Sequence, residues 1–328
     1  MPPRISLICV VLNVAKYIEE TIKNIQAQTY DGWELLVIDG ASVDGTQAIV
    51  EKYTKKDPRI KLFSEPDEGP WDATDKGVAR AEGEFLMVVG GQDGFLDNEW
   101  FAKCLKIFDA DKSVSLVWAS TRGMSEDGKL LPEEHITYSY LMKPERRAKT
   151  ALVIAQKMYK VIRDLIFLDP ARRKILLKKV FSKTSIFRFN FYTRRSFPGG
   201  VPPQKEDWFK YWLDTGTPFS DQPICMSKKV YLDCVPQYRR GSGNLNDHRP
   251  ALFYNFNSKG YLAYYVPILA GFGRTHPGNS GDRIPRVLYD SDDKYLQKLL
   301  DLRKRFLVNH EEMVFVDRDG NEVSRRKF

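Results

Sequence analysis

The sequence predicts an α/β fold: a doubly wound, mixed, mainly parallel sheet with helices on both faces. Two observations carry this prediction. Residues 5–89 alternate between short apolar runs and segments with helical periodicity, which is typical of strand–helix–strand units. Several runs are apolar throughout, as expected of strands that are covered on both faces. The chain has 328 residues, of which 42% are hydrophobic, so it can bury a large core.

The elements of the first half follow from these patterns in order. Strands are predicted where apolar residues run together, at 5–12, 33–38, 60–63, 84–89 and 114–120. Helices are predicted at 15–28, 44–55, 71–81 and 98–110, with Asp44 as the N-cap of the second helix. Asp127-Gly128 indicates a hairpin turn.

Polar side chains stand where these strands end. Asn13 and Asp39 follow the first two strands, and Asp93 follows the strand that closes on Gly90-Gly91. Ligands of open α/β sheets bind beyond the carboxyl ends of the strands, and a carboxylate there can hold a divalent cation against a diphosphate. The first strand is not followed by GxGxxG, and the chain has no GxxxxGK[ST] loop. A Rossmann dehydrogenase and a P-loop enzyme are therefore disfavoured.

The net charge of +8 is concentrated in one segment. Between Lys143 and Arg195 there are 16 Lys/Arg and 3 Asp/Glu, a local balance of +13, so the rest of the chain carries −5. Residues 151–168 and 170–183 read as basic amphipathic helices, a shape that suits an anionic membrane surface. The alternative is a pair of helices that pack on the globule with a solvated charged face. Nucleic acid is disfavoured as a partner, because no known binding motif is present.

The expected location is cytoplasmic, peripheral on the cytosolic face of a membrane. No apolar run approaches the ~20 residues that a membrane span needs, and the N-terminus has no signal-peptide pattern. The four cysteines have no CxxC spacing and three lie in apolar surroundings, which predicts buried, reduced thiols.

Two stretches of the chain together resemble the family 2 glycosyltransferases, which have the GT-A fold. They are VVLNVAKYIEETIKNIQAQTYDGWELLVIDGASVDGT and SEPDEGPWDATDKGVARAEGEFLMVVGGQDG. The resemblance covers residues 5–120 and resumes more weakly over 219–280. It implies a nucleotide-sugar donor, for which UDP is the first expectation, and a divalent cation, Mn²⁺ or Mg²⁺.

The resemblance also implies roles for particular residues. Asn13 and Asp39 would contact the base and ribose of the donor, with Asp44 supporting that pocket. Asp72 and Lys76 would lie near the ribose, the diphosphate or the donor sugar. The remaining residues belong to the metal and phosphate end: Asp93 as the metal ligand, Gln92 beside it where many relatives have a second acid, and His276 in a late loop over the diphosphate or metal.

The second half resembles the acceptor side of the same family. Asp247 is the candidate catalytic base, while Glu206, Asp207 and Asp221 remain alternatives. Strands are predicted at 261–267 and 268–274, and an amphipathic helix at 286–306. The tail after Val308 shows only a turn at Asp319-Gly320.

Together these features predict an inverting glycosyltransferase that acts on a hydroxyl of a glycan or lipid-linked acceptor in surface polysaccharide or glycolipid assembly. The predicted organisation is a donor-binding half (1–120), a basic helical insertion (141–195), an acceptor-binding half (196–280) and a C-terminal helix and tail (281–328). Two alternatives stay open: a sugar-phosphate nucleotidyltransferase, and a degenerate module that binds a glycan or nucleotide without catalysis.

Overall fold

A computed structural model of the chain describes residues 2–132, 136–137, 202–215, 219, 223–235, 248–276 and 293–328. The predicted basic insertion at 141–195 and the candidate bases Asp247 and Asp221 lie outside these described residues.

Strands and helices alternate through the first half of the chain, as the apolar pattern predicts. The strands are β1 (Ile5–Val11), β2 (Trp33–Asp39), β3 (Ile60–Ser64), β4 (Phe85–Gly90), the short β5 (Gly94–Phe95) and β6 (Val114–Met124). The helices between them are α1 (Ile18–Gln26), α2 (Thr46–Thr54), α3 (Pro70–Arg80) and α4 (Trp100–Ala110). A short strand, β7 (Ile136–Thr137), follows.

The described part of the second half adds further elements on both sides of the sheet. The helices are α5 (Lys205–Thr215), α6 (Lys228–Cys234), α7 (His248–Ser258) and α8 (Asp293–Arg303), the last continued by a π-helical turn at Lys304–Val308. The strands are β8 (Ile224–Ser227), β9 (Leu262–Arg274), β10 (Glu312–Val316) and β11 (Glu322–Lys327).

One mixed sheet joins the two halves, in the order β3-β2-β1-β4-β8-β6-β9-β5, with β7 on β6. The pairs β2–β3, β1–β2, β1–β4 and β6–β9 are parallel, whereas β8 runs antiparallel to both β4 and β6. Strands β1, β2, β3, β4, β6 and β9 therefore all point the same way. Their carboxyl ends share one edge of the sheet, and this confirms the predicted α/β class.

Side chains alternate between two hydrophobic cores, one on each face of the sheet. On one face, Ile8 and Leu36 pack in a cluster with helices α3 and α5 to α8 and with the C-terminal hairpin β10–β11. On the other, Leu7 and Leu35 pack with α1, α2 and α4. Strands covered on both faces explain the uninterrupted apolar runs.

Three sequence-based expectations about elements need correction. The two strands predicted at 261–267 and 268–274 are one strand, β9, whose pairing with β6 shifts between Val266 and Leu269. Pro267 lacks an N–H and so interrupts the ladder without ending the strand. The N-cap of α2 is Gly45, in the left-handed region at φ 96°, rather than Asp44. The tail forms an antiparallel hairpin that the sequence did not indicate.

The cysteine prediction is confirmed, because Cys9, Cys104, Cys225 and Cys234 are all buried and free. Burial raises the pKa of the Cys9 thiol, and the neighbouring charge of Asp93 raises it further. Within the ranges that the structure describes, no helix combines the length and the apolar character needed to cross a bilayer.

Candidate functional site

The candidate site lies at the shared carboxyl edge of β1, β2, β3, β4, β6 and β9. Its first part is a junction between the loop after β1 and the loop after β2. Three consecutive main-chain N–H groups, those of residues 13–15, donate to side chains of the second loop. In the order of the donors, the acceptors are Ser42 Oγ at 2.7 Å, Thr46 Oγ1 at 2.9 Å and Asp44 Oδ2 at 2.9 Å.

Asn13 and Asp44 hold this junction from opposite sides. Asn13 adopts φ 55°, a left-handed conformation that Asn tolerates better than most residues, and its Oδ1 accepts the N–H of Val43 at 2.9 Å. Asp44 also accepts the N–H and the hydroxyl of Thr46. Burial opposes ionisation of Asp44, but these hydrogen bonds outweigh it and lower the pKa. Both side chains are exposed at the edge of the sheet.

Asp39 lies at the end of β2 and is fully buried. Its carboxylate accepts hydrogen bonds from the main-chain N–H and the hydroxyl of Ser42, from Gln47 Nε2 at 2.9 Å and from Ser64 Oγ at 2.7 Å. All of these donors belong to the protein. Asp39 thus fixes the loop after β2 against the end of β3, and its carboxylate does not face the open edge.

Asp72 and Lys76 support the loop that follows β3. Lys76 Nζ lies 3.0 Å from Asp72 Oδ2 and donates to the carbonyl of Pro66 at 2.8 Å. The same Asp72 oxygen accepts the N–H of Glu68 at 3.0 Å. Asp72 is buried and the Lys76 side chain is only 18% exposed, so the pair acts as a brace for residues 65–69.

Asp93 lies just beyond β4 and points back over the end of that strand. Its Oδ1 accepts the main-chain N–H of Arg274 at 3.0 Å, and a Cβ added at Gly90 would lie 2.6 Å from Oδ2. A side chain at position 90 would collide with the carboxylate, which explains the glycine. The loop is held from α1, where the Thr21 hydroxyl donates to the carbonyls of Gly91 and Asp93.

Arg274, the last residue of β9, connects the segments around Asp93. Its side chain is only 3% exposed. The guanidinium donates to the carbonyls of Gln92 and Glu126 and pairs with Glu20 Oε2 at 2.7 Å, while it lies 5.4 Å from the ring centroid of Tyr17. One planar group with fixed donors thereby holds two loops against helix α1.

His276 follows two residues later, with its ring 4.8 Å from that of Tyr17. The pKa of Glu126 is lowered, first by a hydrogen bond from Lys16 and to a smaller extent by the charge of His276 nearby. Asp93 and His276 are therefore brought to the same end of β9, since the residue that binds Asp93 through its N–H leads directly into the His276 segment.

The donor set at this point fits a cation that takes most of its ligands from a substrate. Within the described residues, no three His, Cys, Asp or Glu side chains form a group able to enclose a metal ion. Mg²⁺ is commonly bound by one or two carboxylates together with substrate phosphates and water, and does not need an all-protein cage. Asp93, at the same edge of the sheet as His276, fits that kind of partial site.

Two of the alternative bases lie at the other end of the sheet. Glu206 accepts the hydroxyl of Ser324 at 2.9 Å, and Asp207 pairs with Arg326 at 2.6 Å. Both partners belong to β11. The other strand of this hairpin, β10, bridges through Val316 to Tyr261, the residue just before β9. This position opposite the carboxyl edge removes Glu206 and Asp207 as candidates.

Sequence patterns missed two residues at the carboxyl edge. Asp67 lies in the loop after β3, where its Oδ1 accepts the N–H of Gly69 at 2.8 Å. The Pro-Asp-x-Gly spacing around it indicates a turn, and that was the only available signal. The role of Arg274 depends on contacts with residues up to 254 positions away, so no local pattern could have indicated it.

The first half of the chain, which contains most of these residues, is similar to known glycosyltransferases. Residues 6–168 match the family model described as glycosyl transferase family 2. A Bacillus subtilis protein named as a teichuronic acid biosynthesis glycosyltransferase, TuaG, is 29% identical over 147 residues, which cover 43% of this chain and 58% of the relative. The cholesterol galactosyltransferase of Borreliella burgdorferi is 36% identical over 90 residues, covering 27% and 25% of the two chains.

A solved structure with a broader match is that of S. aureus TarS residues 1–349 in complex with UDP-GlcNAc. It is 15% identical and has a TM-score of 0.48, with 84% of this chain and 60% of that chain covered. This chain spans less than two thirds of the length of each of these relatives.

We predict that Asp39→Asn destabilises the fold. The substitution replaces one acceptor oxygen by an NH₂ group that faces donors, and an unsatisfied buried polar group costs about 1–3 kcal/mol. The free energy of unfolding in urea measures the effect. As a control, Asp31→Asn changes an 88% exposed side chain and should shift stability by less than ~1 kcal/mol. Equal stability of the two variants would contradict the structural role of Asp39.

Proposed function

We propose that this chain, whose residues 6–168 belong to glycosyl transferase family 2, transfers a sugar from a nucleotide-sugar donor to a hydroxyl of a glycan or lipid-linked acceptor. The observation that carries the proposal is the position of Asp93. It lies at the edge where open α/β sheets bind ligands, with one oxygen fixed by the N–H of Arg274. The relatives named as glycosyltransferases support the reaction class.

The reaction proceeds with inversion at the anomeric carbon. Asp247 accepts the proton of the acceptor hydroxyl as that oxygen bonds to the anomeric carbon. The bond between the same carbon and the donor diphosphate breaks, and its electron pair stays on the phosphate oxygen. Charge therefore builds up on the leaving diphosphate, and this is where stabilisation matters most.

Asp93, with His276 nearby, would hold a divalent cation at the leaving group. A bound Mn²⁺ or Mg²⁺ would offset the charge that develops on the diphosphate. Gln92 supplies a neutral side chain where a second carboxylate would add charge, so the cation would depend strongly on the donor phosphates for its remaining ligands. The donor is a nucleotide-sugar, with UDP-sugars the first to test.

The acceptor is proposed to be presented at the cytosolic face of a membrane, during surface polysaccharide or glycolipid assembly. The support is the local charge of +13 between Lys143 and Arg195. Each basic residue near an anionic leaflet contributes about 1 kcal/mol, so half of the sixteen would hold the protein at the surface. The name of the teichuronic acid relative is in keeping with such an acceptor.

We expect Asp93→Asn to weaken Mn²⁺-dependent binding of nucleoside diphosphates by at least ~10-fold. The loss of a charged metal ligand should cost more binding free energy than the loss of a hydrogen bond to a charged group. Calorimetric titration with and without Mn²⁺ measures the effect. Asp127→Asn, the same change at an exposed turn, is the control and should bind as the unmodified protein does. Unaltered metal dependence in Asp93→Asn would refute the assignment.

Asp247→Asn should lower sugar transfer by ~10²–10⁴-fold and leave nucleotide affinity unchanged, because an amide cannot accept the acceptor proton. Release of nucleoside diphosphate from UDP-sugars, with a lipid-linked or glycan acceptor, is the measurement. A nucleotidyltransferase would instead release pyrophosphate from a nucleoside triphosphate and a sugar phosphate. A pure binding module would release neither product. Normal turnover in Asp247→Asn would exclude Asp247 as the catalytic base.

Membrane association should depend on the basic insertion. We predict that the full chain floats with vesicles containing anionic phosphatidylserine at low salt and that replacing six basic residues by Gln reduces flotation strongly. The six are Arg172, Arg173, Lys174, Lys178, Lys179 and Lys183. The control replaces three basic residues of β11, Arg325, Arg326 and Lys327, and should float normally. If all three proteins floated equally, or if the full chain did not float at all, membrane docking through this segment would be contradicted.

A further inference from the structure

A cavity of about 600 Å³ lies at the edge of the sheet opposite the candidate site. It is formed at the amino ends of two strands, where Glu82 and Glu84 precede β4 and Lys112 precedes β6, and beside Ser227, the last residue of β8. Strand β4 separates the cavity from Asp93, and its six residues span about 20 Å. The volume is in the usual range of small-molecule sites. A ligand here would not overlap a nucleotide bound at Asp93.

Charged side chains of both signs line this cavity. There are four cations and three carboxylates, a balance of +1: Lys112, Lys228, Lys229, Arg318, Glu82, Glu84 and Asp319. Each of the three carboxylates has an ion-pair partner, at distances of 2.9, 3.4 and 2.8 Å. Among the described residues, by contrast, Lys112 and Lys228 form no ion pair. Lys228 Nζ donates to the carbonyl of Ala81, which satisfies a donor but leaves the positive charge uncompensated.

Arg318 is held in a fixed orientation in the wall of the cavity, and its side chain is only 14% exposed. Nη2 donates to the carbonyl of Phe108 at 2.7 Å and Nε to that of Lys112 at 3.3 Å, while the guanidinium lies 5.5 Å from the ring centroid of Phe85. The carboxylate of Glu84 approaches Nη1 only to 3.7 Å, well beyond the ~2.8 Å of a charge-assisted hydrogen bond. A guanidinium has five N–H donors, so donors remain for a ligand.

The lining favours a ligand that combines a phosphate with hydroxyl groups. Lys112, Lys228 and Arg318 come from three different segments and have no close carboxylate, which suits an anionic group with more than one negative charge. Lysine and arginine both bind phosphate oxygens, the first as a point charge and the second through its fork of donors. The carboxylates of the cavity can only accept hydrogen bonds, and hydroxyl groups supply the matching donors.

We propose that this cavity binds a sugar phosphate, with the phosphate held by Lys112, Lys228 and Arg318. The sugar hydroxyl groups are hydrogen-bonded to Glu82 and Glu84. Such a ligand contacts the segments before β4 and β6, the start of α6 and the turn of the β10–β11 hairpin, so its binding stabilises the folded chain. The proposal does not rest on the transfer reaction, because no nucleotide and no metal ion take part.

The test measures binding to the full chain in EDTA without nucleotide, so that a metal-dependent donor site does not contribute. The probes are glucose 6-phosphate, glucose 1-phosphate and ribose 5-phosphate, together with inorganic phosphate and glucose as the separate parts of the ligand. Calorimetry measures the affinities, and a rise in the midpoint of thermal unfolding provides a second measure of binding.

Four variants locate the binding site. Lys112→Ala and Lys228→Gln each remove one cation from the cavity. Lys106→Ala is the matched control, because Lys106 is an exposed lysine of α4 that does not line the cavity. Asp93→Asn tests whether the probes bind at the carboxyl edge instead.

In the unmodified protein, Lys106→Ala and Asp93→Asn, at least one sugar phosphate should bind ~10-fold or more tightly than inorganic phosphate, and glucose should not bind detectably. Lys112→Ala and Lys228→Gln should each lower the affinity for that sugar phosphate ~10–100-fold, the usual value of a hydrogen bond to a charged group.

Four results would overturn the inference. They are no binding of any sugar phosphate by the unmodified protein, equal affinities for sugar phosphate and inorganic phosphate, losses in Lys112→Ala and Lys228→Gln no larger than in Lys106→Ala, and loss of binding in Asp93→Asn. None of them bears on the proposed transfer reaction, whose failure would show in the nucleotide titrations with Mn²⁺.

Discussion

The site depends on a hydrogen bond between two residues that are far apart in the sequence, from the N–H of Arg274 to Asp93 Oδ1. It forms because β9 pairs with β5, the short strand that directly follows Asp93, so that both halves of the chain contribute to the same edge of the sheet. The buried guanidinium of Arg274 then fixes the surrounding loops to α1 through Glu20. The same strand end leads to His276.

Asp67 and Asp93 are built alike. Each has one oxygen held by a main-chain N–H and the other placed over a glycine at or just beyond a strand end, Gly40 for Asp67 and Gly90 for Asp93. A carboxylate fixed in this way needs little reordering when a ligand arrives, which favours affinity. Two such groups stand on the same edge of the sheet, at the ends of β2 and β4, which are two strand positions apart.

The sequence was sufficient for those parts of the fold that depend on local pattern. The apolar runs predicted the bounds of β1 to β4 to within a residue or two. The rule that ligands bind beyond the carboxyl ends of strands pointed to Asp93. The sequence was insufficient where the outcome depends on distant contacts. Asp39 and Asp67 are both acids close to strand ends, yet one is buried under four donors and the other keeps an open oxygen, a difference set by Ser64 and Gly40. Likewise, Pro267 indicated a strand end, but pairing with β6 carries the strand past it.

The central claim is that a nucleotide lies across the ends of β2, β1 and β4, with its phosphates at Asp93. A crystal structure of the full chain with UDP or GDP and Mn²⁺ tests this most directly, because the anomalous signal of manganese locates the metal independently of the nucleotide. We predict a manganese peak in contact with Asp93 and the diphosphate, and the base beside the ends of β1 and β2. A peak away from Asp93, or a nucleotide bound outside the ends of β1 and β2, would contradict the account.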